Sequence, residues 1–545
     1  MVRSILRTVA NSPAFLELGL LAVACLWVVG PAALGADPAA LGRPTRDLYD
    51  HLALLDAWFL STEVWNWPEG GRLVPPDLHG MLLGGPALAL GLSRAWAYNF
   101  GLVVRLWLAC VGGWALGRRV GSGLVGGVAF GLSPFLLGEV YTGEAETLSA
   151  WPLAVMAWLL ERGGTRGWIA AGVVAAVGAL GSWYYGVFLA VYLVAWTVLD
   201  GRRAGRSGWL PVLVFVVVIA APAFAYGRVL ASPDQLFRGP DMATYLSTQP
   251  RALAGMVSDP LAWLGHNRGG ATHDDRLGLT IVVLAAFGLA DRSWGRRWWF
   301  AAVAVVGLLL AIGPILHLGG RPITDLTPYR LLTALPLFGL MRLPHRWLLV
   351  ASLGLAVLAA RGGRRVPHVA ALLIVLEAGW FGSAASTVIP AAPVAAFDGP
   401  VVDLPPRTLG RDDARGLYLV WQRSHGAPVP YSLSMSGWSP PLAAEPLVQA
   451  VAALDSGDRI AERPVDAAGF RQRAFAEAVA GLRRDGVDPA AVAGAAGRLR
   501  TEGVAEVVLH LDLLAEGDRA ATLALVTGAL GPPSSVDDRV ARWRL

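Results

Sequence analysis

The sequence predicts an α-helical polytopic membrane protein of about eleven transmembrane helices, followed by a soluble C-terminal α/β domain. Three observations carry that prediction. Of 545 residues, 55% are hydrophobic and only 16% charged, against about 25% charged in an average soluble domain, and the mean hydropathy is +0.51. Apolar stretches long enough to cross ~30 Å of hydrocarbon, roughly 20 residues each, recur along residues 1–390. The charge is also unevenly spread: residues 391–545 hold 16 Arg and 19 acidic residues, whereas the far longer 1–390 holds 29 and 21. Only the tail has the charge density of a soluble domain.

The same composition excludes disordered, collagen-like and disulfide-scaffold classes. Cys25 and Cys110 lie in apolar runs and read as neither metal ligands nor disulfide partners. There is no Lys, so the formal net charge of +5 is an excess of Arg. Membrane topology accounts for that excess, and no nucleic-acid partner is expected.

The first span, 15–36, follows Arg3 and Arg7 without a small-residue cleavage site and reads as an anchor rather than a signal peptide. Further spans are expected near 97–117, 122–138, 147–160, 167–182, 184–199, 208–228, 277–290, 298–316, 344–360 and 366–385. The apolar stretch 80–93 is short and reads as a half-helix or re-entrant element. Arg118-Arg119, Arg162/Arg166, Arg202-Arg203/Arg206, Arg292/Arg296-Arg297 and Arg361/Arg364-Arg365 occupy short loops. With a cytoplasmic N-terminus and a non-crossing 80–93, all five fall inside, as the positive-inside rule requires. The segments 37–79, 139–146, 229–276 and 317–343 then lie outside with the tail, in a bacterial inner membrane.

In the tail, Val401–Pro406, Val504–Leu513 and Val540–Leu545 read as strands, and 470–485, 490–500 and 516–530 as helices. Together they make an extracytoplasmic α/β domain over 391–545.

Three polar groups fall on the outer side. In Arg46-Asp47-Leu48-Tyr49-Asp50-His51, helical spacing puts Asp47, Asp50 and His51 on one face. Carboxylates beside an imidazole suit a divalent cation or a general base acting on a hydroxyl, and equally suit a helix start capped by Thr45. Glu139, Glu144 and Glu146 form a second acidic group, or a solvated connector. The third is cationic: Arg330, Arg342, His345 and Arg346, with His266 and Arg268. Arg forks fit lipid phosphate, and such side chains also snorkel to headgroups. Trp65-Asn66-Trp67-Pro68 and Trp183-Tyr184-Tyr185 read as interfacial belt, with sugar stacking as the alternative. Phosphate-loop, nucleophile-elbow and zinc-protease motifs are absent. Apart from Arg105 and Glu377, no charged residues run through the middle of the spans, which speaks against an ion-coupled pump.

Taken together, these pieces resemble the GT-C superfamily of polytopic membrane glycosyltransferases, in particular the YfhO-like, polyprenyl-phosphate-sugar-dependent branch. The matching residues are Asp47–His51, Ala97-Tyr98-Asn99, and the acidic loop ending in Trp151-Pro152-Leu153. They continue with Gly181-Ser182-Trp183-Tyr184-Tyr185-Gly186, Arg276-Leu277-Gly278, Arg342-Leu343-Pro344-His345-Arg346 and Val401–Pro406.

The resemblance implies an inverting enzyme that moves a sugar from a polyprenyl-phosphate carrier to an envelope glycan, lipid or protein acceptor on the outer face. It implies Asp47 or Asp50 as catalytic base. Substrate binding would fall to His51, Glu144, Glu146, Arg330, Arg342, His345 and Arg346. A divalent cation, Mg or Mn, would sit on Asp47, Asp50 and Glu144. The family's acids often stand two apart, whereas Asp47 and Asp50 are three apart, which leaves open which is the base and whether a metal is used. The alternatives are a lipid or polysaccharide transporter and a non-catalytic envelope assembly protein.

Overall fold

The computed structural model describes residues 13–35, 39–44, 46–55, 77–201, 207–231, 259–261, 263, 276–319, 321–332, 341, 343–381, 386–394, 396–406, 414–430, 440–457 and 473–545. They group into two compact units. The first comprises the described parts of Met1–Arg43, Pro76–Phe224 and Asp241–Val388. The second comprises those of Pro44–Pro75, Ala225–Pro240 and Ile389–Leu545.

The first unit is a helical membrane bundle. Its helices are Pro13–Val29, Leu78–Ala89, Arg94–Val120, Gly123–Gly131, Pro134–Thr142, Trp151–Arg162, Gly164–Gly181 and Trp183–Leu199. Leu210–Ala231, most of it in this unit, Leu279–Ala290, Arg297–Ala311, Leu348–Gly362 and Pro367–Phe381 complete the bundle. A helix therefore stands at each expected span, and the short apolar stretch after residue 77 is a helix of 12 residues. Among the described residues, five segments have both the length and the hydropathy to cross a membrane: Arg94–Val120, Gly123–Thr142, Gly164–Gly181, Ser207–Ala225 and Pro344–Arg365.

Exposed side chains identify the solvent. Phe15, Leu16, Val23 and Trp27 point outward from the first helix, as do Val217, Phe224, Phe287, Trp298, Val369 and Leu372 from later ones. So much apolar surface is unfavourable in water at about 25 cal/mol per Å², and is at home in lipid. The chain is a polytopic membrane protein.

In lipid, apolar burial does not hold helices together, so small residues that admit close backbone contact do. Gly113 and Gly117, one turn apart, meet Gly126: a Cβ on Gly113 would stand 2.5 Å from the Gly126 carbonyl oxygen. Gly288 and Gly362 are reciprocal, since a Cβ on the first would overlap the Leu358 carbonyl and one on the second the Leu284 carbonyl. Cys25 and Cys110, expected to be neither metal ligands nor disulfide partners, are buried free thiols with their sulfurs 3.6 Å apart.

Glu377 accepts the backbone N–H groups of Leu279 (2.6 Å) and Thr280 (2.9 Å). It thereby caps, from a neighbouring helix, an N-terminus whose own cap position is Gly278 and has no side chain to offer.

The Arg-rich turns gather at one end of the bundle. Arg361 (2.7 Å) and Arg364 both pair with Asp291, and Arg361 also donates to the Val120 carbonyl at 3.0 Å. Arg296 pairs with Glu161 and Asp200. The start of Leu348–Gly362, the start of Trp151–Arg162 and the start of Trp183–Leu199 lie at the other end, and the candidate site is built there.

The second unit holds a four-stranded sheet in the order Val401–Leu404, Glu506–His510, Val540–Arg544, Ser535–Val536. Its first pair is parallel and the others antiparallel. Helices Ala414–His425, Pro446–Leu454, Arg473–Asp485 and Glu516–Leu530 belong to it, and the single helix expected over 490–500 is two short ones, Pro489–Val492 and Ala495–Thr501, parted at Gly494. The Arg46–Leu54 helix packs on Ala414–His425 in this unit.

Candidate functional site

Glu139 lies within a helix rather than in the loop expected over 139–146. The apolar run Phe135, Leu136, Leu137 and Val140 is buried, so the Pro134–Thr142 helix continues past Glu139. It ends where Gly143 adopts φ +83, a conformation that favours glycine. A short 3-10 turn, Ala145–Leu148, then places Glu144 and Glu146 two residues apart. The Thr147 hydroxyl tightens it by donating to the Glu144 carbonyl at 2.6 Å.

Arg346 fills the space before this turn. It follows Pro344, which sits in the first turn of a 3-10 helix leading into Leu348–Gly362. Its Nη2 donates to Glu144 and, at 2.9 Å, to Glu146. The guanidinium also lies 4.7 Å from the centre of the Tyr184 ring, and the residue is only 3% exposed. Beside it, His345 Nε2 stands 3.5 Å from Glu139 Oε1, both residues being 1% exposed. Phe188 and Trp347 close the inner wall, ring centres 4.3 Å apart.

Trp183-Tyr184-Tyr185 is therefore not a simple interfacial belt. Trp183 faces outward, but Tyr184 and Tyr185 are buried. Tyr184 receives Arg346 on its ring face, and the Tyr185 hydroxyl donates to the Thr147 carbonyl. The solvated-connector reading of Glu144 and Glu146 also gives way, since a buried arginine fork occupies both.

A second buried ion pair adjoins the acidic turn. Asp77 caps the Leu78–Ala89 helix, accepting from Gly80 N at 2.8 Å. It also binds Arg105 Nη1 at 2.7 Å. The same nitrogen donates to the Ala145 carbonyl at 2.7 Å, and Arg105 Nε to the Gly101 carbonyl at 3.0 Å. Sequence reasoning noted Arg105 as an isolated charge and missed Asp77. An arginine inside an apolar helix implies a partner, and that was the available signal.

The remaining expected site residues are placed as follows. Arg330 is exposed and pairs with Asp325. Its neighbour Tyr329 is buried and donates to the Met341 carbonyl at 2.8 Å; burial, reinforced by Tyr184, raises its phenol well above the ordinary value. Asp47, Asp50 and His51 stand on the Arg46–Leu54 helix, with His51 buried and Asp50 half-buried. Arg342, His266, Arg268, Trp65–Pro68 and the side chain of Asp47 lie outside the described residues.

Asn99, part of the resemblance, has a structural task. Its amide accepts from Leu41 N and donates to the Ala33 and Ala39 carbonyls, each at 2.8 Å, tying down the chain after the first helix.

The described residues do not make up a dication site. No three metal-ligating side chains come together among them, and the charge of Glu144 is already met by Arg346.

No protein-family model matches the chain, and no curated protein matches it. Solved structures do. The mycobacterial arabinofuranosyltransferase AftD aligns over 99% of this chain at 15% identity and a TM-score of 0.53. This chain spans 40% of AftD's length. The Archaeoglobus fulgidus oligosaccharyltransferase aligns over 93% of this chain and 72% of its own at 13% identity, with a TM-score of 0.41. ArnT from Cupriavidus metallidurans aligns over 97% of each chain at 14% identity, with a TM-score of 0.39. The last two superpose too loosely for positions to be compared. The likeness to AftD shows the fold alone: the chain shares the fold of the aligned part of that protein.

Proposed function

We propose that this GT-C-fold membrane protein is a glycosyltransferase that moves a sugar from a polyprenyl-phosphate carrier to an envelope glycan, lipid or protein acceptor on the outer face of a bacterial inner membrane. The observation that carries the reading is the buried Arg346 held between the buried Glu144 and the half-buried Glu146. It stands at the end of the bundle away from the Arg-rich turns, in a fold shared with an arabinofuranosyltransferase. Buried charge in a membrane protein is costly and marks function more often than stability.

In the proposed reaction the acceptor oxygen attacks the anomeric carbon as the bond from that carbon to the phosphate oxygen breaks. The acceptor's proton passes to a carboxylate, Asp47 or Asp50, and attack from the face opposite the phosphate inverts the centre. The phosphate departs with negative charge, which a fixed guanidinium stabilises. Arg342 is the candidate for that role, because Arg346 is already held by two carboxylates. Glu144 and Glu146, fixed by Arg346, position the acceptor.

The test is transfer from radiolabelled polyprenyl-phosphate sugars in membranes containing wild type, Asp47→Asn, Asp50→Asn or Arg342→Gln. Loss of product in one Asp variant at normal expression names the base. Full activity in both Asp variants removes the assignment. Wild type inactive with every donor shifts the reading to a transporter or an assembly protein.

A further inference from the structure

The acidic turn is held by more than its own side chains. Its backbone presents two carbonyls that flank Glu146, those of Ala145 and Thr147, and each is gripped from a different membrane helix. Arg105, on Arg94–Val120, donates to the Ala145 carbonyl at 2.7 Å. Tyr185, at the start of Trp183–Leu199, donates its hydroxyl to the Thr147 carbonyl. All four residues are buried.

Arg105 is itself aimed by two contacts. Its Nη1 is shared between the Ala145 carbonyl and Asp77 Oδ2, and its Nε is folded back on the Gly101 carbonyl one turn earlier. Asp77 is fixed in turn by capping Leu78–Ala89, where a Cβ on Gly80 would overlap its carboxylate. A lone fold-stabilising pair needs no such geometry. A buried ion pair contributes little net stability against an apolar substitute of equal volume, and it is unfavourable inside a bilayer unless a specific geometry requires it.

We propose that Asp77, Arg105 and Tyr185 are positioning residues that clamp the backbone of the 144–147 turn, and so set where the Glu144 and Glu146 carboxylates stand. This rests on the transferase reading for its kinetic consequence, but not for its structural one. Arg105 acts through the Ala145 carbonyl, Asp77 through Arg105, and Tyr185 through the Thr147 carbonyl.

The experiment uses the full chain in lipid nanodiscs and two readouts: transfer kinetics, and backbone hydrogen exchange by mass spectrometry over residues 143–149. Three variants are compared with wild type. Tyr185→Phe removes one hydroxyl. Asp77→Asn leaves Arg105 on the Ala145 carbonyl. The double variant Asp77→Asn with Arg105→Met removes both charges, so that no charge is left buried alone.

The clamp predicts faster exchange confined to 143–149 in Tyr185→Phe and in the double variant. It also predicts a fall in kcat on the order of 100-fold, as for a catalytic group displaced by ~1 Å, with KM nearly unchanged. Asp77→Asn should fall between these and wild type. A double variant that folds, exchanges like wild type over 143–149 and keeps kcat would show a purely structural pair and overturn the proposal. If the double variant does not fold, Tyr185→Phe decides: unchanged exchange and kcat overturn the clamp. If wild type transfers nothing, the transferase reading fails on its own, while the exchange data still decide whether the turn is clamped.

Discussion

Arg346 and Glu146, 200 residues apart in the chain, meet as a half-buried 2.9 Å ion pair. Glu144 lies on the same guanidinium nitrogen. One cation therefore orders two carboxylates at the end of a bundle whose other end carries its own arginine ion pairs, and the loss of either partner should be felt.

Arg346→Gln leaves the buried Glu144 and the half-buried Glu146 without their cation. Breaking one side of a buried pair costs about 3–5 kcal/mol. The variant is expected to unfold at a lower temperature and to lose transfer. Arg346→Lys, which keeps a point charge but not the fork, should recover much of the stability and less of the activity. Thermal unfolding in detergent alongside the transfer assay checks both.

Glu377→Ala removes the tertiary cap of Leu279–Ala290 and exposes two backbone donors. The expected destabilisation is about 1–2 kcal/mol. Glu377→Gln retains one acceptor oxygen and should lose less. Equal losses in the two variants would mean that the contacts to Leu279 and Thr280 do not matter.

Gly288→Ala and Gly362→Ala place a methyl against a facing carbonyl in a helix pair with no room for one. Overpacking of this kind costs about 1–3 kcal/mol. Gly19→Ala is the control, because a Cβ there meets nothing within 4 Å. The ranking of the three melting temperatures is the measurement, and the control should match wild type.

Acid should weaken the C-terminal unit. Burial alone would raise the Glu506 carboxyl, but Arg542 (2.7 Å from Nη2 to Oε1) and the Asp398 N–H outweigh it and hold the group below its ordinary value. Burial likewise lowers the imidazole of His425, with Asp403 opposing and His510 adding to the effect. Both groups bind protons less readily folded than unfolded. Their contribution is therefore complete above their ordinary values and is lost as pH falls below them, first for His425 and then for Glu506. Scanning calorimetry at stepped pH should show one transition moving down in acid, and Glu506→Gln should flatten the acidic part of that shift.

Much of this protein was legible in the sequence because lipid imposes a simple rule. Every backbone group within the bilayer must bond internally, so apolar length marks helices. Arginine in short loops marks one face. The strands at 401, 506 and 540 were readable for a similar reason, since β-branched runs end in turn residues. The positions of Glu144, Glu146, His345 and Arg346 at one end followed from the same count.

What only the tertiary structure decided is how those groups pair. Whether Arg346 faces a phosphate or two carboxylates, whether Tyr185 sits in a belt or grips a carbonyl, and whether Arg105 has a partner are long-range questions. Helix periodicity fixes the face of one helix but not which helix lies opposite it. Glu139 shows the same limit locally: a glutamate between apolar residues reads as the start of a loop. It stays in the helix because the neighbours that bury Phe135, Leu136 and Val140 come from distant parts of the chain, and those contacts outweigh the local preference of one charged side chain.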